Sequence, residues 1–255
     1  MVTNVVVGSE AGQFAAARRV HRSLTADAEK RALVWMAERA PRWMTSDGLT
    51  ALGLAAQVGA GVSYALARWD RRALLLAIAC IALNWLGDSL DGTLARVRQQ
   101  QRPRYGFYVD HMVDMFGATA LMAGPAVSGL VHWEIAAALL VGFLLLAAES
   151  YLATYTLGRF ELSQGWFGPT ELRILMIAGN VALLRSPYAT VLGHRWLLLD
   201  VGGAVAAAGM VAMAVVVGMR HTAQLYREEP VRSSVQRSEH TLTRHPEHPR
   251  VGDQG

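Results

Sequence analysis

Long apolar runs decide what this chain can fold into. A segment that crosses a bilayer as a helix needs about 20 mostly apolar residues, and six candidates follow one another here: Leu49–Trp69, Ala73–Leu90, Tyr105–Leu130, Trp133–Leu157, Pro169–Leu184 and Trp196–Met219. Short polar joints separate them. A soluble helical protein has room for one such helix, not for six in series. The fold expected is therefore all-α: a polytopic membrane protein with six transmembrane helices. Composition agrees, since 53% of the 255 residues are hydrophobic and only 17% charged, against about 25% charged in ordinary soluble domains. Three regions follow: residues 1–44 as a cytoplasmic N-terminal segment, 45–220 as the membrane domain, and 221–255 as a disordered cytoplasmic tail without apolar periodicity.

The N-terminal region has no apolar core ahead of a small-residue cleavage site, so no signal peptide is expected. Its stretch DAEKRALVWMAERAPRWM sets Leu33, Trp35, Met36 and Trp43 among charges. That pattern reads as an amphipathic interfacial helix on the membrane surface or as a helix packed on the bundle. Cys80 is the only cysteine, which excludes an intrachain disulfide. Tail residues His240, His245 and His248 read as solvated rather than as metal ligands.

Basic residues orient membrane helices, because cytoplasmic loops retain Lys and Arg. With six spans, nineteen of the 24 Lys and Arg residues fall on one side. Both termini are then expected in the cytoplasm, in a cell (inner) membrane. Trp69, Trp133, Trp166 and Trp196 lie near span ends, where interfacial aromatics gather. The net charge of +4 is accounted for by anionic lipid headgroups, and no nucleic-acid partner is implied.

Against this background, GDSLDGTLARVRQQQRPRYGFYVDHMVD, residues 87–114, stands out. Asp88 and Asp91 are three apart, and Asp110 and Asp114 four apart, so each pair shares one helix face. A polar joint containing Pro103 lets two antiparallel helices aim both pairs at one point. Four like charges in a small volume repel, and carboxylates in a membrane are costly. A divalent cation relieves most of that cost. Mg²⁺ or Mn²⁺ prefers carboxylate oxygens and leaves positions for phosphate, so the constellation implies a phosphate-bearing substrate. Gly87, Gly92, Ala95 and Gly106 permit close approach of a ligand or a helix, and Arg96 can complement a phosphate.

The pattern Asp88-x-x-Asp91-Gly92-x-x-Ala95-Arg96, nine residues, then Gly106-x-x-x-Asp110-x-x-x-Asp114 resembles the signature of the CDP-alcohol phosphotransferases. All eight fixed positions are present. The resemblance implies a membrane enzyme of phospholipid synthesis that moves a phospho-group from a CDP-activated alcohol, CDP-diacylglycerol or a CDP-headgroup, to an acceptor hydroxyl and releases CMP. It implies Mg²⁺ (or Mn²⁺) held by Asp88, Asp91, Asp110 and Asp114, with Asp114 also the general base. Gly92, Ala95, Arg96 and Gly106 match positions near the CDP moiety. So do Asp47 and Thr50, with Asp47 standing where many relatives carry asparagine. The family usually forms homodimers. Arg102, Glu149, Glu171 and Arg173 are the candidates to meet the headgroup or acceptor.

Pro169 suits the first position of a helix and Glu171 its first turn. The run Gly168-Pro169-Thr170-Glu171 is also similar to one in the choline and ethanolamine branch. Only Arg159 and Arg173 are obvious cations there, so a cationic or neutral alcohol is favoured over an anionic one. Two other functions compete. An aspartate-rich membrane prenyltransferase would place its acidic motifs on well-separated helices, and a transporter or proton relay would want charges near mid-membrane and broken helices. An inactive scaffold would have no need of the complete acidic set.

Overall fold

The computed structural model describes residues 2–9, 13–20, 26–161 and 169–230. Among these, seven helices and five short strands follow in the order β1 (Val2–Ser9), β2 (Gln13–Val20), α1 (Ala26–Arg39), α2 (Ser46–Leu66), α3 (Ala73–Val97), α4 (Pro103–Ser128), α5 (Trp133–Leu157), β3 (Arg159–Glu161), α6 (Pro169–Arg185), β4 (Tyr188–Val191), β5 (His194–Leu197) and α7 (Leu198–Glu228). The chain divides into two compact units, residues 1–217 and 218–255. In the second, the end of α7 carries a Gln224-to-Glu228 side-chain bond of 2.8 Å.

The molecule is mostly helical but not all-α. β1 pairs antiparallel with β2, and β2 parallel with β3. β1 is rich in valine, a β-branched residue that fits a pleated surface. β4 and β5 form a hairpin whose two turn residues, Leu192 and Gly193, both have positive φ, 52° and 80°. That backbone matches the twist of a tight two-residue hairpin. The hairpin occupies the start of the sixth expected span, so α7 begins at Leu198 rather than Trp196. α7 also runs past residue 220 to Glu228, which shortens the expected tail. Residues 231–255, with the three tail histidines, lie outside the described residues, as do Trp166 and Gly168.

Four helices, α2, α3, α5 and α7, are long and apolar enough to cross a membrane. α4 has the length, with 26 residues, but carries the second acidic pair. α6 has 17 residues, about 25 Å at 1.5 Å per residue, short of a hydrocarbon core of about 30 Å.

Local chemistry fixes the helix ends that matter. Thr45 caps α2, its hydroxyl accepting from Gly48 N at 3.1 Å. Pro103 opens α4, where its missing N–H costs nothing. α3 is longer than the run Ala73–Leu90: it continues to Val97 and so holds Asp91 as well as Asp88.

Small residues let the backbones close in. A Cβ on Gly87 of α3 would lie 2.7 Å from the Leu49 carbonyl of α2. A Cβ on Gly124 of α4 would overlap the Gly61 carbonyl of α2, and one on Gly61 would overlap the Ala120 carbonyl. Such approaches are the usual basis of helix association where lipid removes the hydrophobic drive. Two apolar clusters flank this seam. Leu33 and Ala37 of α1 pack with Leu49, Leu90 and Leu94 at one end, and Tyr64, Leu74, Ala77 and Leu183 pack at the other. Thus α1 is docked on the bundle through Leu33 and Ala37, while Trp35 and Trp43 stay exposed.

Two predictions follow from this packing. Gly124→Val, forced against the Gly61 backbone, is expected to cost about 1–3 kcal/mol of stability. Gly209→Ala, with open space around it, is expected to cost nothing measurable in the same thermal unfolding assay. At the start of α5, His132 N donates to Asp200 Oδ1 at 2.8 Å, and its ring Nδ1 meets Asp200 Oδ2. The hydrogen bond with Asp200, and then its charge, raise the imidazole above the ordinary histidine value of 6.5. The protonated pair therefore stabilises the fold fully below pH 6.5 and loses that contribution as pH climbs through the raised value. NMR titration should find His132 titrating above 6.5 and moving back towards that value in Asp200→Asn.

Candidate active site

Asp88 and Asp91 sit near the end of α3, and Asp110 and Asp114 near the start of α4. Because α3 and α4 both lie against α2, the two pairs converge. Asp114 is the focus: it is in electrostatic reach of Asp88, Asp110 and Asp91, and of Arg173 on α6. All four aspartates are partly buried.

Each helix around the focus supplies a partner. From α6, Arg173 Nη2 donates to Asp88 Oδ2 at 2.6 Å and Arg173 Nε to Asn84 Oδ1 at 3.0 Å. Asn84 Nδ2 donates in turn to the Gly53 carbonyl at 3.1 Å. The Arg173–Asp88 pair is mostly shielded, with side chains 15% and 26% exposed. From α2, Thr50 Oγ1 donates to Asp91 Oδ2 at 2.6 Å, and Ser46 Oγ to the Asp91 carbonyl at 3.0 Å. Gly92 N donates to Asp91 Oδ1. Beside Asp110 and Asp114, Phe107, His111 and Tyr151 pack ring against ring, with centroids 4.1 Å apart for Phe107–His111 and 4.7 Å for His111–Tyr151.

The other expected residues surround this centre. Arg96 Nη2 donates to Thr93 Oγ1 at 3.0 Å, with Gly92 and Ala95 on the same stretch of α3. Around Gly106 a Cβ would meet nothing within 4 Å, leaving the start of α4 open for a ligand. Asp47 is not alone: Arg102 donates to both its oxygens while stacking over Tyr105 at 4.1 Å. Glu149 is partly buried on α5, and Glu171 in the first turn of α6.

The donor chemistry suits a hard divalent cation, with four carboxylates gathered from two helices. Asp88 and Asp91 are bonded to Arg173 and Thr50, and among the described residues no three acidic, histidine or cysteine side chains close on one point as a finished cage. Arg173 thus supplies positive charge at the place where the carboxylates most need it.

Several participants carry no sequence signature. Asn84 is a polar residue one turn before Asp88 in an apolar run, which is the only hint it gives. Arg98 looks like an ordinary flanking charge, yet its guanidinium bonds the carbonyls of Ala40, Pro41 and Met44 and ties the α1–α2 joint to α3. Glu29, on α1, bonds α3 and α6 at once.

Helices long and apolar enough to cross a membrane, with paired carboxylates of fixed spacing on the consecutive helices α3 and α4, are the features that the structure brings to the comparison with known proteins. The family model of CDP-alcohol phosphatidyltransferases matches residues 43–222, and the chain belongs to that family. It is 27% identical over 120 residues to the archaetidylinositol phosphate synthase of Pyrococcus horikoshii; the aligned stretch covers 47% of this chain and 57% of that protein. Membership separates the chain from the prenyltransferases and transporters that its acidic pairs also suggested.

Removing Arg173 leaves Asp88 and Asn84 without their partner. Arg173→Met is expected to lower stability by about 1–3 kcal/mol, the cost of stranding a shielded polar group, read as a drop in melting temperature in detergent.

Proposed function

We propose that the protein transfers a phospho-group from a CDP-activated alcohol to an acceptor hydroxyl and releases CMP, at the cytoplasmic face of the membrane. The observation that carries this reading is that Asp114 lies within electrostatic reach of Asp88, Asp91 and Asp110 in a member of this family. These four would hold Mg²⁺ or Mn²⁺, which when bound neutralises the diphosphate and stabilises the CMP phosphate as it leaves. Asp114, at the focus, removes the proton from the acceptor hydroxyl as that oxygen attacks phosphorus. Arg96 faces phosphate charge. Gly92, Ala95 and Gly106 give the nucleotide room, with Thr50 and the Arg102-bound Asp47 at its edge.

The full architecture proposed has six spans, α2 to α7, with α4 and α6 completing the bundle beside the four more apolar helices. Both termini are cytoplasmic, two copies pair as a homodimer, and residues beyond 230 form a tail. The outer face of α1, with exposed Trp35 beside Lys30 and Arg31, and the joint after it with exposed Trp43, lie at the headgroup level.

For the alcohol, we favour a cationic or neutral headgroup meeting Glu149, Glu171 and Arg173. The support is local: Arg173, the cation on α6 nearest the site, is engaged by Asp88 and Asn84, and Glu171 shares its turn. The archaeal relative, an archaetidylinositol phosphate synthase, points instead to an inositol phosphate, an anion, so both must be offered.

The test is CMP release by purified protein in lipid. CDP-choline or CDP-ethanolamine with diacylglycerol is compared with CDP-diacylglycerol plus polar alcohols, inositol phosphate included. Each is run with Mg²⁺, with EDTA, and in Asp114→Asn. Expected is metal-dependent release, lowered by Asp114→Asn about 10²–10⁴-fold, the usual worth of a general base. Absence of CMP from every pair, in folded protein, would sink the reading. Independently of turnover, Mg²⁺ is expected to raise the melting temperature of the native protein, as a ligand of the folded state must, and not that of Asp88→Asn/Asp110→Asn.

A further inference from the structure

We propose that Glu29, a residue of α1 outside the acidic motif, is a positioning residue. It sets the first turn of α6 against α3 and thereby governs how the site accepts the polar headgroup. The inference rests on the transferase reading above and adds to it an element that the motif does not include.

The geometry is a three-way junction. Glu29 Oε1 accepts from Trp85 Nε1 at 3.0 Å and from Ser89 Oγ at 3.5 Å, both on α3. The same carboxylate accepts from Thr170 Oγ1 on α6, at 3.1 Å to each oxygen. Trp85 and Ser89 are four apart and share one stripe of α3. Asn84 and Asp88, each one residue earlier, form the adjacent stripe, and that stripe is held by Arg173. Thr170 and Arg173 are three apart on α6. The α3–α6 contact is therefore pinned twice, by Arg173 from within the site and by Glu29 from behind it.

The residue type fits this task. α1 docks otherwise through Leu33 and Ala37, and apolar contact is non-directional. A carboxylate is acceptor-only, with two oxygens for several donors, so it fixes where Trp85, Ser89 and Thr170 sit relative to one another. Glutamine would keep one acceptor oxygen and turn an N–H₂ group towards a donor. With Glu29 gone, the turn carrying Thr170, Glu171 and Arg173 keeps the Arg173 pin to α3 but loses the second one, and the headgroup meets a looser wall. Asp91, on α3, keeps its own support from Thr50 and Ser46 of α2.

The test uses the full-length protein in lipid vesicles, with Glu29→Ala, Glu29→Gln, Thr170→Val and the double variant Glu29→Ala/Thr170→Val. KM for the substrate that brings the polar headgroup, KM for the lipid substrate, kcat and melting temperature are measured for each. Expected for Glu29→Ala is a rise of about tenfold in headgroup KM, the scale of one charge-assisted hydrogen bond, with lipid KM little changed. Thr170→Val should move the same constant. The double variant should be no worse than Glu29→Ala alone, and Glu29→Gln should recover part of the loss. A uniform fall in kcat with both KM values unchanged, or single effects that multiply in the double variant, would overturn the proposal. Should the native protein release no CMP from any pair, the transferase reading falls by itself. The cycle in melting temperature then decides: non-additive losses support a Glu29–Thr170 unit, and additive losses overturn it.

Discussion

The contact of α2 with α3 and α4 at backbone distance is the constraint from which the rest follows. Gly87 meets the Leu49 carbonyl, and Gly61 and Gly124 meet each other's helix. Side chains at these points would push the helices apart. Without the seam, α3 and α4 would have no common template and their acidic ends no reason to meet. Thr50 and Ser46, which hold Asp91, come from the same helix, so α2 both sets the spacing and supplies part of the site.

Gathering four carboxylates is electrostatically unfavourable, and the surroundings answer that cost in different ways. Arg173 meets Asp88 by charge, Thr50 and the Gly92 amide meet Asp91 by hydrogen bonds, and Arg102 meets the neighbouring Asp47 near the surface. The donors come from four elements, α2, α3, α6 and the α3–α4 joint. No single helix could satisfy the cluster from its own sequence, and the site is a property of the bundle.

That distribution also explains which parts could be read in advance. The aspartates were legible because helical spacing converts sequence into a shared face, and their type and number call for a cation. The apolar runs gave the helices, and Pro169 marks where one of them, α6, starts. Glu29 and Arg98 were not legible, since a charged residue in a polar segment gives no sign that its partners lie on a distant helix. The β4–β5 hairpin escaped because its strands are four residues each, and Trp196 inside it reads equally well as an interfacial aromatic. Arg173 was legible as a cation near the site, but its bond to Asp88 depends on how α6 crosses α3.

The Glu29–Thr170 bond joins residues 141 positions apart, and that separation dictates an order of assembly. Chains emerge from the N-terminus and fold as they are made, so α1 is finished long before α6 exists. In that interval α1 has α2 and α3 to lie on, through Leu33 and Ala37, while its carboxylate waits for the donor on α6. The acidic centre of α3 and α4 is likewise complete in sequence before Arg173 arrives. The helix made almost last therefore closes both the outer latch and the inner ion pair, and a nascent chain halted before α6 would have its carboxylates but neither clasp.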